Sequence, residues 1–214
     1  MKAILSASMW KLIFTVAILT APENQDLRGA DPVELKARTI LIYENVSGGL
    51  PTPFVIRLGR AEPDIVLEWE SRNHQGTLHM HRKAVESGRQ LTLSELFEVG
   101  VDMETDQATT KWLSQEIFRE LLEHGSAQVR LNRVRGELKL VGRASRVIEV
   151  DGEEVEVPVL LIQDSRRGTW VFLNNPRNPL LLEYASPHYR EALKRVSNSD
   201  RNQLRWLRRL PPIR

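Results

Sequence analysis

Between Ser126 and Tyr184 the sequence leaves little choice of architecture. The segments "SAQVRLN", "GELKLVGRASRVIEV", "EEVEVPVLLIQ", "GTWVFLNN" and "PLLLEY" are each of strand length, and "RVRG", "DG", "DSRRG" and "PRN" between them are credible reversals. Strands joined by tight turns pair with their chain neighbours in opposite senses, so an antiparallel meander is expected. Asp151-Gly152 is the sharpest of the turn signals, because a two-residue primed turn needs the positive φ angles that Asp and Gly tolerate. With those two residues as turn centres, Ile148 opposes Val155 and Glu149 opposes Glu154. That like-charged pair calls for a basic neighbour, Arg146 or Lys139.

The upstream half also opens as β structure. "ARTILIYEN" and "PFVIRLGR" read as strands divided by the turn-forming "VSGGLPT". In the next segment Ile65, Leu67 and Trp69 point one way and Val66, Glu68 and Glu70 the other. After a turn at Asn73 to Gly76, Leu78 and Met80 alternate with Thr77, His79 and His81. Three of the five histidines thus fall within "HQGTLHMH". If Leu78 and Met80 join the core, His79 and His81 project together from the other face near Glu68 and Glu70, and His74 in the turn could add a third imidazole. Imidazole and carboxylate are common ligands of zinc and other divalent ions, so His79, His81 and Glu68 are the candidate metal ligands. A solvated outer face with histidines beside acids is the competing reading.

Two helices are expected between the β halves. "LTLSELFEVG" has Thr92 three residues before Glu95, a capping-box spacing, and ends at Gly100. "TTKWLSQEIFRELLEHG" reads as a strand end at Trp112, then a helix capped by Ser114, with Ile117, Phe118, Leu121 and Leu122 on the buried side and Gly125 as its stop. A third helix is expected to start near Ser186, with Pro187 in its first turn.

Charge and hydropathy set the ends apart. Residues 1–30 combine Lys2 and Lys11 with an uncharged apolar run from Leu12 to Ala21, followed by a polar linker, the pattern of a signal-like segment for export. The run is shorter than the roughly 20 residues needed to span a bilayer, and Pro22 sits awkwardly for processing after Ala21. If uncleaved, the segment would tether the protein to the membrane. Residues 31–186 form the main domain. Residues 187–214 hold eight basic against two acidic residues, a net +6 in a chain whose formal charge is only +2. Interleaved with Leu204, Leu207 and Leu210, residues Arg201, Arg205, Trp206, Arg208 and Arg209 are the candidate contacts to an anionic membrane surface. Nucleic acid would use the same charges, but an exported chain does not meet it. The absence of Cys excludes disulfides, thiolate ligands and a cysteine nucleophile.

The order of elements in "ELKLVGRASRVIEVDGEEVEVPVLLIQDSRRGTWVFLNNPRNPLLLEY", with "WLSQEIFREL" upstream, resembles exported bacterial β proteins whose curved sheet is like that of the LolA/LolB lipoprotein carriers. The resemblance spans about residues 62 to 185 and leaves the basic tail without a counterpart. It implies export to the periplasm or cell envelope and a concave apolar surface for a lipid-like ligand; it carries no catalytic residue. The sequence offers none either. Ser114 and His124, ten residues apart on one helix, lie roughly 15 Å apart along its axis and cannot hydrogen-bond. No glycine-rich phosphate loop is present, and no cofactor is expected. The fold expected is α+β: a curved antiparallel β-sheet with two central helices packed on it and a helical basic C-terminus. The function expected is that of a non-enzymatic envelope protein binding an apolar ligand or a protein partner, with Trp69, Met80, Phe118, Trp170 and Phe172 available to line a cavity. The alternatives are a metal-dependent hydrolase built on His79, His81 and Glu68, and a structural assembly factor docking through its tail. For the latter, deletion after Ala185 should abolish envelope association without unfolding the domain.

Overall fold

The computed structural model describes residues 33–72 and 74–198. The expectations for residues 1–30, and those for Arg201, Arg205, Trp206, Arg208 and Arg209, lie outside the described residues. Strands β1 (Ile40–Ser47), β2 (Leu50–Arg60), β3 (Ile65–Ser71) and β4 (His74–Met80) form consecutive antiparallel hairpins. Helix α1 (Arg82–Ser87) then leads to β5 (Gln90–Thr92), β6 (Asp102–Thr105), β7 (Ala108–Thr110) and helix α2 (Gln115–His124). The meander follows as β8 (Ser126–Leu131), β9 (Val134–Val150), β10 (Glu153–Asp164), β11 (Thr169–Leu173) and β12 (Leu181–Ala185), and β13 (Tyr189–Ser197) closes the described chain. All join one 13-stranded sheet in the order β6-β4-β3-β2-β1-β13-β12-β11-β10-β9-β8-β5-β7.

The meander forms as the alternation requires. Asp151 and Gly152 both have positive φ, and Ile148 faces Val155 while Glu149 faces Glu154. The basic residue that relieves the acidic pair is neither Arg146 nor Lys139. It is Arg195 of β13, whose Nε and Nη2 donate to the two Glu149 carboxylate oxygens at 2.6 and 2.9 Å. The preceding turn is centred on Asn132 and Arg133, also at positive φ, so of "RVRG" only Arg133 lies in the reversal and Val134, Arg135 and Gly136 fall within β9.

The α+β expectation is overturned. The described residues are 60% strand and 10% helix, and the sheet is mixed, with β4–β6, β5–β7, β5–β8 and β13–β9 pairing parallel. Only one of the two central helices forms. Leu91 and Thr92 enter β5, and the residues after them run irregularly to Gly100, with Phe97 turned onto Phe54 and Trp69. The capping-box spacing at Thr92 and Glu95 gave way to sheet pairing, since a short helix there would forfeit the bonds β5 makes to β7 and β8. Among the described residues the other helix is α1, which periodicity did not reveal. The helix expected from Ser186 is instead β13, where Glu191 and Leu193 turn inward and Arg190 and Lys194 outward. Period-two alternation suits a strand paired on both sides.

α2 has the expected ends. Ser114 Oγ accepts from the Ile117 N–H at 3.3 Å, and Gly125 adopts the left-handed conformation with its N–H on the Leu121 carbonyl. Ile117, Phe118 and Leu121 are buried, but Leu122 is 36% exposed and so lies outside the packed stripe. The sheet is covered on both faces. Val171 and Leu173 of β11 pack with β1–β4 residues such as Leu41, Ile56 and Leu67, while Trp170 and Phe172 pack with α2 and β8 through Phe118, Leu121 and Val129. A strand buried on both sides reads as the unbroken apolar run "WVFL".

Candidate functional site

The site grows from a lysine that the fold buries. Lys111 follows β7 at φ 60°, a left-handed backbone that costs a side-chain-bearing residue about 1 kcal/mol or more. The kink redirects the chain: Leu181 N–H donates to the Lys111 carbonyl at 2.7 Å, and Trp112 bridges to Leu180 before α2 begins. It also sends the ammonium inward, where the side chain is 1% exposed. There Nζ donates to Glu191 Oε1 and, at 3.1 Å, to the Leu93 carbonyl. The second Glu191 oxygen accepts from Tyr189 Oη at 3.0 Å. Three rings surround the cation, those of Tyr43 and Phe54 at 5.3 Å and Phe97 at 5.4 Å from their centroids.

A buried ion pair is tolerated only when its remaining hydrogen-bonding capacity is filled, which Leu93 and Tyr189 do here. Burial pulls the Lys111 ammonium below the ordinary lysine range, against the opposing attraction of Glu191. Burial first, then the Glu191 charge, pushes the Tyr43 and Tyr189 hydroxyls upward. The Lys111 side chain is shielded from solvent and held against Glu191.

Lys111 lies at the edge of an open cavity of about 470 Å³ that it lines together with Phe54, Trp69, Leu93, Phe97 and Tyr189. Arg72 and His74, both exposed, stand among its lining residues. Two buried polar atoms of the lining residues, Asn45 Oδ1 and Trp69 Nε1, have no hydrogen-bond partner. The size falls within the range of small-molecule sites, and the combination of apolar wall and few polar groups is the usual make-up of one.

The five cavity candidates read from the sequence are divided by the sheet. Trp69 and Met80 belong to one core cluster; Phe118, Trp170 and Phe172 belong to the other. Of these only Trp69 lines the cavity, and Met80 and Phe172 are fully buried. Sequence reasoning missed Lys111, Glu191, Tyr43, Phe54, Phe97 and Tyr189. A signal for two of them existed: Lys111 interrupts the uncharged "ATTKWL", and Glu191 alternates in phase with Tyr189 and Leu193.

The histidines lie elsewhere, on the outward face of β3 and β4. The alternation placed them correctly, since Leu78 and Met80 are buried and His79 and His81 emerge together with ring centroids 4.1 Å apart. Their carboxylate neighbour is Asp64, just before β3, and not Glu68. Ligand atoms of Asp64, His79 and His81 lie within 4.8 Å of one another, whereas Glu68 turns to Arg57 at 3.9 Å. His79 Nε2 is 3.2 Å from Asp64 Oδ2, and His81 Nε2 is 3.3 Å from Glu104 Oε2 of β6. His74 does not join them; it lines the aromatic cavity. No protein-family model, curated protein or solved structure matches the chain.

Proposed function

We propose that this chain is a non-enzymatic protein of the cell envelope that holds an apolar ligand in the cavity above Lys111. The observation that carries the reading is a cavity of about 470 Å³ with walls of Phe54, Trp69, Phe97 and Tyr189 over a buried, charge-compensated lysine. Aromatic walls favour an acyl or ring-containing body through dispersion and burial. Arg72 and His74 favour an acidic or otherwise polar head over a wholly hydrocarbon ligand. Because Lys111 is already matched by Glu191, it contributes a polarised aromatic floor more than a free counter-charge.

Residence in the envelope is supported by the basic and apolar pattern of residues 1–30. Among the described residues no helix is long and apolar enough to cross a membrane. The carrier-like role suggested by the LolA/LolB resemblance belongs to the same proposal, as does contact of the basic residues after Asn198 with anionic lipid or an envelope protein.

The test begins with native mass spectrometry of the full chain purified from the envelope of its host. An adduct of lipid size is expected, lost in the Phe97→Asp variant, which places a charge in the cavity wall. The same variant should abolish uptake of a fluorescent fatty-acid probe by the delipidated protein. A bare chain that also fails to take up the probe, or uptake unchanged by Phe97→Asp, would sink the ligand reading.

A further inference from the structure

A second cluster, on a different face, points to a metal ion. We propose that Asp64, His79 and His81, with Glu104 beside His81, bind one divalent transition-metal ion of the zinc class at the outer surface of β3, β4 and β6. The site is independent of the aromatic cavity, and its test does not depend on ligand binding there.

The geometry is close to what such an ion needs. With bonds of about 2.0–2.1 Å, ligand atoms at adjacent corners of a tetrahedron are about 3.3 Å apart. Asp64 Oδ2 and His79 Nε2 stand 3.2 Å apart, and His81 Nε2 and Glu104 Oε2 stand 3.3 Å apart. The first is an edge of the kind one ion would need, and Glu104 approaches the cluster through His81. Asp64, His79 and His81 are brought together by the close approach of the two imidazoles, with their ligand atoms within 4.8 Å of one another. Sheet pairing fixes the spacing, since His79 is in register with Val66 of β3 on one side and Glu104 of β6 on the other.

The chemistry of the donors selects the class. Two imidazole nitrogens with a carboxylate oxygen suit zinc, cobalt or nickel, while calcium and magnesium prefer all-oxygen sets. Asp64 is oriented by its other oxygen. Oδ1 accepts from the Arg82 backbone N–H at 2.7 Å, so Oδ2 is left toward His79. Outer hydrogen bonds of this kind hold a ligand in place before the metal arrives.

Nearby cations are accounted for except one. Arg82 pairs with Glu86 at 2.6 Å and Lys83 with Asp106 at 3.3 Å. Arg60 is the exception, because its Nη1 stands 3.3 Å from the very oxygen the metal would use. It is a competitor for Asp64 Oδ2. Removing it should therefore strengthen metal binding, an effect that an ordinary network of hydrogen bonds and ion pairs does not predict.

The experiment strips the full chain of metal with a chelator and titrates zinc chloride by calorimetry, with cobalt(II) as an absorbing substitute. One equivalent of zinc and the intense visible bands of tetrahedral cobalt are expected. The His79→Ala/His81→Ala variant should lose more than the roughly 10- to 100-fold in affinity that removing an outer partner costs. Arg60→Gln should bind more tightly, while Glu68→Gln and Phe97→Asp should bind as the parent does. Far-ultraviolet circular dichroism checks folding; if the double variant is unfolded, His81→Gln and Arg60→Gln decide the matter. Substoichiometric zinc in the parent, a folded histidine variant that binds equally well, or weaker binding by Arg60→Gln would each overturn the site.

Discussion

Lys111 is the residue on which the largest single-site effect is expected. Replacing it with Met leaves the Glu191 carboxylate buried without its cation, and removal of one partner from such a pair costs about 3–5 kcal/mol. Denaturant unfolding should show that loss. The double variant Lys111→Met/Glu191→Leu should recover much of it, because two apolar groups replace two buried charges. The tyrosines offer a second test at the same scale. All three in the chain, Tyr43, Tyr184 and Tyr189, have hydroxyls raised above their ordinary value of 10.0, in each case by burial first. Above pH 10 the unfolded chain releases phenolic protons that the folded chain retains, so stability falls as pH rises from there. Ultraviolet titration should show no tyrosinate in the native protein near pH 10, and then ionisation together with unfolding. Tyr189→Phe should flatten the alkaline fall; ordinary titration of all three in the folded protein would refute the burial argument.

At the scale of elements, α2 is where local sequence and structure agree. Ser114→Ala should cost about 1 kcal/mol through loss of the cap. Gly125→Ala should cost a similar amount, about 1 kcal/mol, because Gly125 sits at φ 73°. Packing separates two adjacent leucines: Leu121→Ala should cost about 2–5 kcal/mol, whereas the exposed Leu122→Glu should stay within about 0.5 kcal/mol. Thermal melts of the four variants would check the order. Ser114, Gly125 and the apolar spacing were all readable because a helix bonds within itself. The segment after Thr92 was not, since its best partners are β7 and β8, whose proximity no local pattern encodes. The same reason explains the histidine site. Alternation placed His79 and His81 on one face, but only the arrival of Asp64 at the start of β3 and of Glu104 on the parallel β6 supplied their carboxylates.

For the whole molecule, β13 is the element that joins the halves. Along its length it pairs with β1, it also pairs with β12 from Glu183 to Ala185, and its end meets β9 at Glu149 and Val150. Strands β9 to β13 thereby close on themselves. Deletion after Ala185, which the sequence suggested as harmless to the domain, would remove this strand along with Glu191 and Arg195. It should abolish cooperative unfolding and leave the Lys111 ammonium uncompensated. A chain ending at Asn198 keeps β13 and should unfold at nearly the parent's denaturant midpoint, which makes it the proper variant for testing whether the basic tail contacts membranes. A folded protein ending at Ala185 would refute the role given to β13.

Features governed by neighbours along the chain were determined by the sequence alone: the meander from β8 to β12, the Asp151-Gly152 register, the alternation in β3 and β4, and the body and caps of α2. Turn geometry and side-chain period are local properties, and they persist whatever packs against them. The tertiary structure decided the rest. It turned the expected C-terminal helix into β13, divided the five aromatic and sulfur-bearing cavity candidates between two cores, and set Arg195 against Glu149. It also brought Lys111 and Glu191, eighty residues apart, into one buried pair. Contacts over such separations depend on which sheet edges meet, and that is settled by the burial of apolar faces across the whole chain.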